Sequence, residues 1–281
     1  MQPLRDGLLF GATALAGAVN AVAGGGTLMS FPAALAWGLP SPVANATNAL
    51  ALCPGALASA WAYRRELAAH ASIESVPSKG PGPPAMVRAE QSSAAPHALV
   101  ALLAAPTIAG AVIGAALMRI TPARTFDAIV PVLVFAATLA LLLQGLVARR
   151  ADASAPPPSR GRTVAAAAIQ FGVGVYGGYF GAAMGIVMLA SLALLPGGLQ
   201  TRIAIKNLLS AAANGVAAIY FLASGLIDTH AALIMVPAAV LGGFAGGHVA
   251  RRAPPRAVRV LVIAIGLGVS ALLAYRAITR R

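Results

Sequence analysis

The chain has 281 residues, 59% of them hydrophobic and 10% charged, with a formal net charge of +13 and a mean hydropathy of +0.82. Soluble domains carry about 25% charged residues, so a water-soluble globule is excluded. A single cysteine, Cys53, excludes a disulfide framework. The basic excess does not read as a nucleic-acid surface. It sits in short clusters between apolar runs, such as Arg64–Arg65, Arg149–Arg150 and Arg251–Arg252, with no interleaved aromatic residues for base stacking.

In chain order, apolar segments are predicted at 7–23, 27–37, 43–63, 97–118, 126–148, 163–181, 183–196, 203–224, 229–250 and 257–276. No Lys, Arg, Asp or Glu occurs in 7–63, 163–201, 207–227 or 229–250. A bilayer core about 30 Å thick needs ~20 apolar residues per crossing helix. Segments 27–37 and 183–196 are too short for this, and the rest amount to about eight spans. The expected class is an all-α, multi-pass protein of the cell membrane. Residues 7–23 also resemble a signal-peptide core, but a close relative of this stretch recurs deep in the chain, which argues against cleavage. Residues 68–96 are rich in Pro, Ser and Gly and read as a loop, and 149–162 as a linker. The chain thereby divides into a first membrane repeat, 1–148, and a second, 163–281.

The two halves share a pattern. "NAVAGGGTLMSFP" at 20–32 and "GVYGGYFGAAMGIVML" at 174–189 are each a helix broken by glycine and followed by a short apolar piece. Each half then turns a Gly/Pro/Leu corner into a helix in which Thr47-Asn48 corresponds to Lys206-Asn207. Glycines in membrane helices often serve close packing only, and Gly110 and Gly114 are assigned to that role. Three adjacent glycines, Gly24, Gly25 and Gly26, cost roughly 1 kcal/mol each relative to Ala inside a helix. Together with Gly181 and Gly185 they read as paired breaks, the sequence pointer to a transporter site.

These stretches, with "PAALAWGLPSPVANATNAL" and "IAIKNLL", resemble the sulfite exporter TauE/SafE family of membrane transporters. The likeness covers nearly the whole chain apart from 68–96. It implies transport of a small anion (sulfite, a sulfonate or another organic anion), and by the family's name export. Asn20 stands where many relatives carry an acidic residue.

The chemistry follows from the breaks. The second half of a broken helix begins with unpaired N–H groups and about half a positive charge, which favours an anion. The expected site places the turn at Gly24–Gly26 opposite its counterpart at Gly181–Gly185. Asn20, Asn48 and Asn207 supply amide groups there. Asn45 and Thr47 are read equally as ligands or as helix caps, and Lys206 equally as a site cation or as a lysine snorkelling to water. His70, His97, His230 and His248 have no metal-ligand spacing, so no metal and no cofactor are expected. No phosphate loop, HExxH or GxSxG motif points to ATP drive or to an enzyme. The reading is a secondary transporter of a small anion working by alternating access, with an anion channel as the alternative and a homo-oligomer left open.

Charge also orients the chain. If each glycine-broken segment dips in and returns, the halves are inverted and fourteen of the twenty basic residues fall on the inner side. A plain eight-span arrangement places twelve there. The inverted arrangement is favoured, with both chain ends outside.

Overall fold

The computed structural model describes residues 2–64, 96–151, 159–195 and 198–249, together with 264, 267 and 268, and these residues form helices and short turns without strands. The helices are α1 (Gln2–Val22), α2 (Thr27–Trp37), α3 (Ser41–Ala62), α4 (Pro96–Ile120), α5 (Ala123–Ala151), α6 (Arg160–Tyr179), α7 (Met184–Leu192), α8 (Leu199–Ala223) and α9 (Thr229–Val249). At 1.5 Å per residue, α1, α3–α6, α8 and α9, of 20 to 29 residues, are each long enough to cross a bilayer. Four of them, α4, α5, α8 and α9, are apolar enough to do so on composition alone. Nearly all of the expected last span, 257–276, and of the 68–96 loop lies outside the described residues. The linker is narrower than expected, because α5 continues to Ala151 and α6 starts at Arg160. Ser159 caps that start, its Oγ accepting from the Arg162 amide at 3.3 Å.

The two short helices are returns. The end of α2 folds back beside the start of α1: Trp37 Nε1 donates to Asp6 Oδ1 at 2.8 Å, and the Arg5 guanidinium donates to the carbonyls of Ala36 and Trp37. In the second half Gln170 Nε2 of α6 donates to Ser191 Oγ of α7 at 2.9 Å. Each broken segment is therefore a re-entrant hairpin whose tip is the glycine turn. Gly24 and Gly181 adopt φ of +84° and +73°, a region that L side chains avoid, which is why the break needs glycine at these two positions.

The halves are related by inversion. Equivalent helices α3 and α8 lie against each other and run antiparallel. Tyr63 packs with Ile203 and Ala204, Cys53 Sγ lies on Gly215, and Thr47 Oγ1 accepts from the Asp228 amide at 3.1 Å. The other pairings exchange under the same swap. The α1 helix packs along α9, with Ala14 on Gly242 and Ala18 on Gly246, and α6 packs along α4, with Gly174 on Thr107 and Gly178 on Ala111. Backbone meets backbone at these contacts, which is the close packing that small residues permit in a bilayer. Gly110 and Gly114 belong to this set, against Phe171 and Val175.

Helix directions then sort the connections onto two faces. The N-terminus and the turns at 38–40, 121–122 and 224–228 share one face. Arg64, the end of α5, Ser159 and Leu195 share the other. Arg64, Arg160, Arg162 and Arg202 make this second face the more basic, the side on which the positive-inside rule expects the cytoplasm. In a Cys53→Ala background, cysteines at Leu226 and Gly161 are expected to react with an impermeant thiol reagent from opposite sides of the membrane. Reaction from one side would overturn the inverted arrangement.

Candidate functional site

The hairpin tips meet. A methyl group added to Gly24 would lie 2.6 Å from Gly185 Cα, and one added to Gly185 would lie 2.7 Å from Gly24 Cα and 2.9 Å from Lys206 Cδ. Neither residue could carry a side chain with the backbones at this distance. Two glycine breaks far apart in the sequence are thus one place in the fold.

Each tip is held by the third helix of the opposite half. A helix leaves its last carbonyls unpaired, and those of α1 are satisfied by α8: Lys206 Nζ donates to Asn20 O at 2.5 Å, and Asn207 Nδ2 to Ala21 O at 3.1 Å. In the mirrored place Asn45 Nδ2 of α3 donates to Tyr179 O at the end of α6, at 3.0 Å. Neither Asn45 nor Thr47 caps its own helix. Asn45 caps the other half's hairpin, and Thr47 holds the turn before α9.

The amino-terminal ends at the crossing have no such partners. Among the described residues, the amides of Gly25, Gly26 and Thr27 before and in α2 donate to no protein acceptor, nor do those of Ala182, Ala183 and Gly185 at α7. Both helix starts therefore direct free N–H groups and positive dipole ends into the region of the tips. Lys206 is completely buried beside them, and among the described residues no carboxylate pairs with it. The snorkelling alternative is not what this lysine does. Its amino group stays inside the protein against the negative end of the α1 dipole. A buried amine and free amides together form a donor-rich interior that a small anion would complement.

The other expected residues divide between two levels of the crossing. Asn48 Oδ1 accepts from Ser30 Oγ of α2 at 2.5 Å, which ties α3 to the first hairpin's return. Asn20 lies at the tip of α1 and, through its carbonyl, under Lys206. The antiparallel register of α3 and α8 puts Asn48 in the half of the bundle nearer the N-terminal face and Asn207 in the basic half. The structure brings Lys206, Asn207, Asn20, Gly24 and Gly185 together, and Asn45 and Asn48 to the second level. Tyr176 and Tyr179 serve the fold: Tyr176 donates to Ala182 O at 2.7 Å, and Tyr179 to Thr121 Oγ1 at 3.4 Å. Sequence reasoning missed Ser30, Ser210 and Asn214, all buried. The only signal for Asn214 was a lone amide in the apolar run "LLSAAANGVAAIYF".

Comparison with known proteins agrees with this geometry. The pattern of the family described as "Sulfite exporter TauE/SafE" matches residues 9–74 and 84–273. Among curated proteins, the "Probable membrane transporter protein YfcA" of Escherichia coli strain K12 is 26% identical over 277 residues, covering 98% of this chain and 91% of that protein, and the O157:H7 protein of the same name matches equally. No solved structure matches. With a match that extends across both inverted halves, including both glycine tips, the chain belongs to the sulfite exporter TauE/SafE family of membrane transporters.

Proposed function

We propose that this protein carries a small oxyanion (sulfite, a sulfonate or a carboxylate) across the cell membrane, outward, by alternating access at the hairpin crossing. The observation that carries the reading is the contact of Gly24 with Gly185 beside the buried Lys206, with free amides at the starts of α2 and α7. Fixed N–H groups and one ammonium in a low-dielectric interior replace the water an anion gives up on entering the bilayer. Non-helical backbone at membrane depth is tolerated where it lines a cavity or is buried in protein, and the glycine turns meet that condition. Two inverted halves that touch through their tips can rock about this point, opening it to one side and then the other. Gly24, Gly25, Gly26, Asn20, Gly181, Gly185, Lys206 and Asn207 line this position in the proposed site, with Asn45, Thr47 and Asn48 on the approach from the other face. Outward direction and sulfur-containing cargo come from the family's description.

Reconstituted protein is expected to show saturable flux of at least one member of a panel of sulfite, short sulfonates and carboxylates. Absence of flux for every anion would overturn the proposal, and unitary currents would make the protein a pore instead of a carrier.

A further inference from the structure

Past the crossing, α8 carries polar atoms that the fold leaves without a strong partner. Asn207, Ser210 and Asn214 follow one another at i, i+3 and i+7, which places them within about 60° on one helix face. All three are at least 97% buried, with exposures of 0%, 1% and 3%. Asn207 is oriented by its Nδ2 bond to Ala21 O, and its free atom is the acceptor Oδ1, which has no partner among the described residues. Ser210 Oγ reaches only a thioether, Met188 Sδ at 3.3 Å. Asn214 leaves its Nδ2 donor without a partner. The opposite face of α8, with Ile205 and Leu209, is equally buried but packs in an apolar cluster with Met184, Met188 and Leu192.

Packing does not require this polarity. By the correspondence of Thr47-Asn48 with Lys206-Asn207, the positions of Ser210 and Asn214 fall on Ala51 and Gly55 of α3. There Gly55 simply receives the Ala239 backbone of α9. The two corresponding positions of α3 are thus built without polar side chains. An unpartnered amide costs most where no water can reach it, so a row of them on one face implies that something hydrogen-bonding passes there.

We propose that Asn207, Ser210 and Asn214 form a hydrogen-bonding track on α8. It leads from the hairpin crossing toward the face that carries the N-terminus, and a small hydrated oxyanion moves along it. The track deepens the proposed function and rests on that reading for its cargo. It offers an acceptor at Asn207, a hydroxyl at Ser210 and a donor at Asn214, so it serves water and oxyanions that carry or are accompanied by O–H groups better than a bare halide. Among the described residues Ser210 Oγ is bonded only to the Met188 thioether, a weak acceptor that is readily displaced. The two half-paths are therefore unlike beyond the paired Asn48 and Asn207: polar along α8, apolar at Ala51 and Gly55 of α3.

The test uses full-length protein in proteoliposomes, in a Cys53→Ala background that removes the only native thiol. Asn214→Cys, Ser210→Cys and Leu209→Cys are compared for their rate of reaction with a small charged methanethiosulfonate reagent. The first two are expected to react at least about tenfold faster than the third, a free-energy difference of about 1.4 kcal/mol, and methanesulfonate is expected to slow them. Asn214→Cys reacting no faster than Leu209→Cys, in protein that still transports, overturns the track and leaves the crossing site intact. Fast reaction with no anion protecting and none transported overturns the anion cargo and the proposed function with it. Asn214→Leu provides a second reading, with an expected flux loss of about tenfold or more. Unchanged flux in that variant overturns the track.

Discussion

Lys206→Met is expected to yield inserted, folded protein whose anion flux is ten- to a hundredfold below that of the native chain. Two effects on folding oppose each other. A lysine in mid-span costs about 2.5–3.5 kcal/mol on insertion scales, which the substitution relieves. The Asn20 carbonyl loses its donor, and an unsatisfied buried acceptor costs about 1–3 kcal/mol. The two are of similar size, so the folded yield changes little. Flux has no such compensation. Hydrogen bonds from a charged group are worth about 1.5–3 kcal/mol, and each 1.4 kcal/mol is a factor of ten in binding. Lys206→Gln separates the two roles of the residue, because it keeps a donor for Asn20 O and removes the charge. Low flux in the Gln variant assigns the ammonium to the anion; native flux would reduce Lys206 to a cap on α1. The measurement is initial flux in proteoliposomes, normalised to protein that is monodisperse in detergent.

Gly24→Ala is expected to be severely damaging, because it combines backbone strain with a backbone clash at the crossing. An L residue at a φ of +84° costs about 1–2 kcal/mol in the left-handed region. The new Cβ would also lie 2.6 Å from the Gly185 Cα, against backbone that has no rotamer to give. The tips must separate or the helix breaks must rearrange, and flux should be lost with a fall in thermal stability. Gly185→Ala meets the same contact from the other side at ordinary φ, so it isolates the clash from the backbone strain. Gly11→Ala is the control: nothing lies within 4 Å of its added methyl, and a helix interior gains from the change. If Gly24→Ala melts and transports like Gly11→Ala, the two hairpins do not cross as described.

Much of this protein is legible in its linear order because bilayer physics acts locally. Long uncharged runs, two of them too short to span, specify helices and returns without reference to any neighbour. The glycine clusters mark the turns because glycine takes the positive φ of Gly24 and Gly181 without strain, and the repeated order of break, corner and Asn-bearing helix exposes the two halves. The distribution of Lys and Arg carries the inversion, since each loop responds to membrane sidedness independently.

Partners are another matter. Asn45 reads as well as a cap as it does as a ligand, and its true acceptor, Tyr179 O, lies 134 residues away. Lys206 is compatible with a membrane edge until its bond to Asn20, 186 residues distant, places it in the interior. Ser30, Ser210 and Asn214 look like incidental polar residues in apolar runs, because what distinguishes them is set on other helices: Ser30 by its bond to Asn48 of α3, Ser210 and Asn214 by the weakness or absence of a partner. Composition and periodicity by themselves determined that the chain is an all-α, multi-pass membrane protein with glycine-broken helices, and the Lys/Arg count favoured an inverted pair of halves. Only the tertiary structure decided that the tips touch, that each half caps the other, and which buried polar groups remain free. Hydrogen bonding is settled pair by pair across the fold, and no local pattern encodes both members of a distant pair.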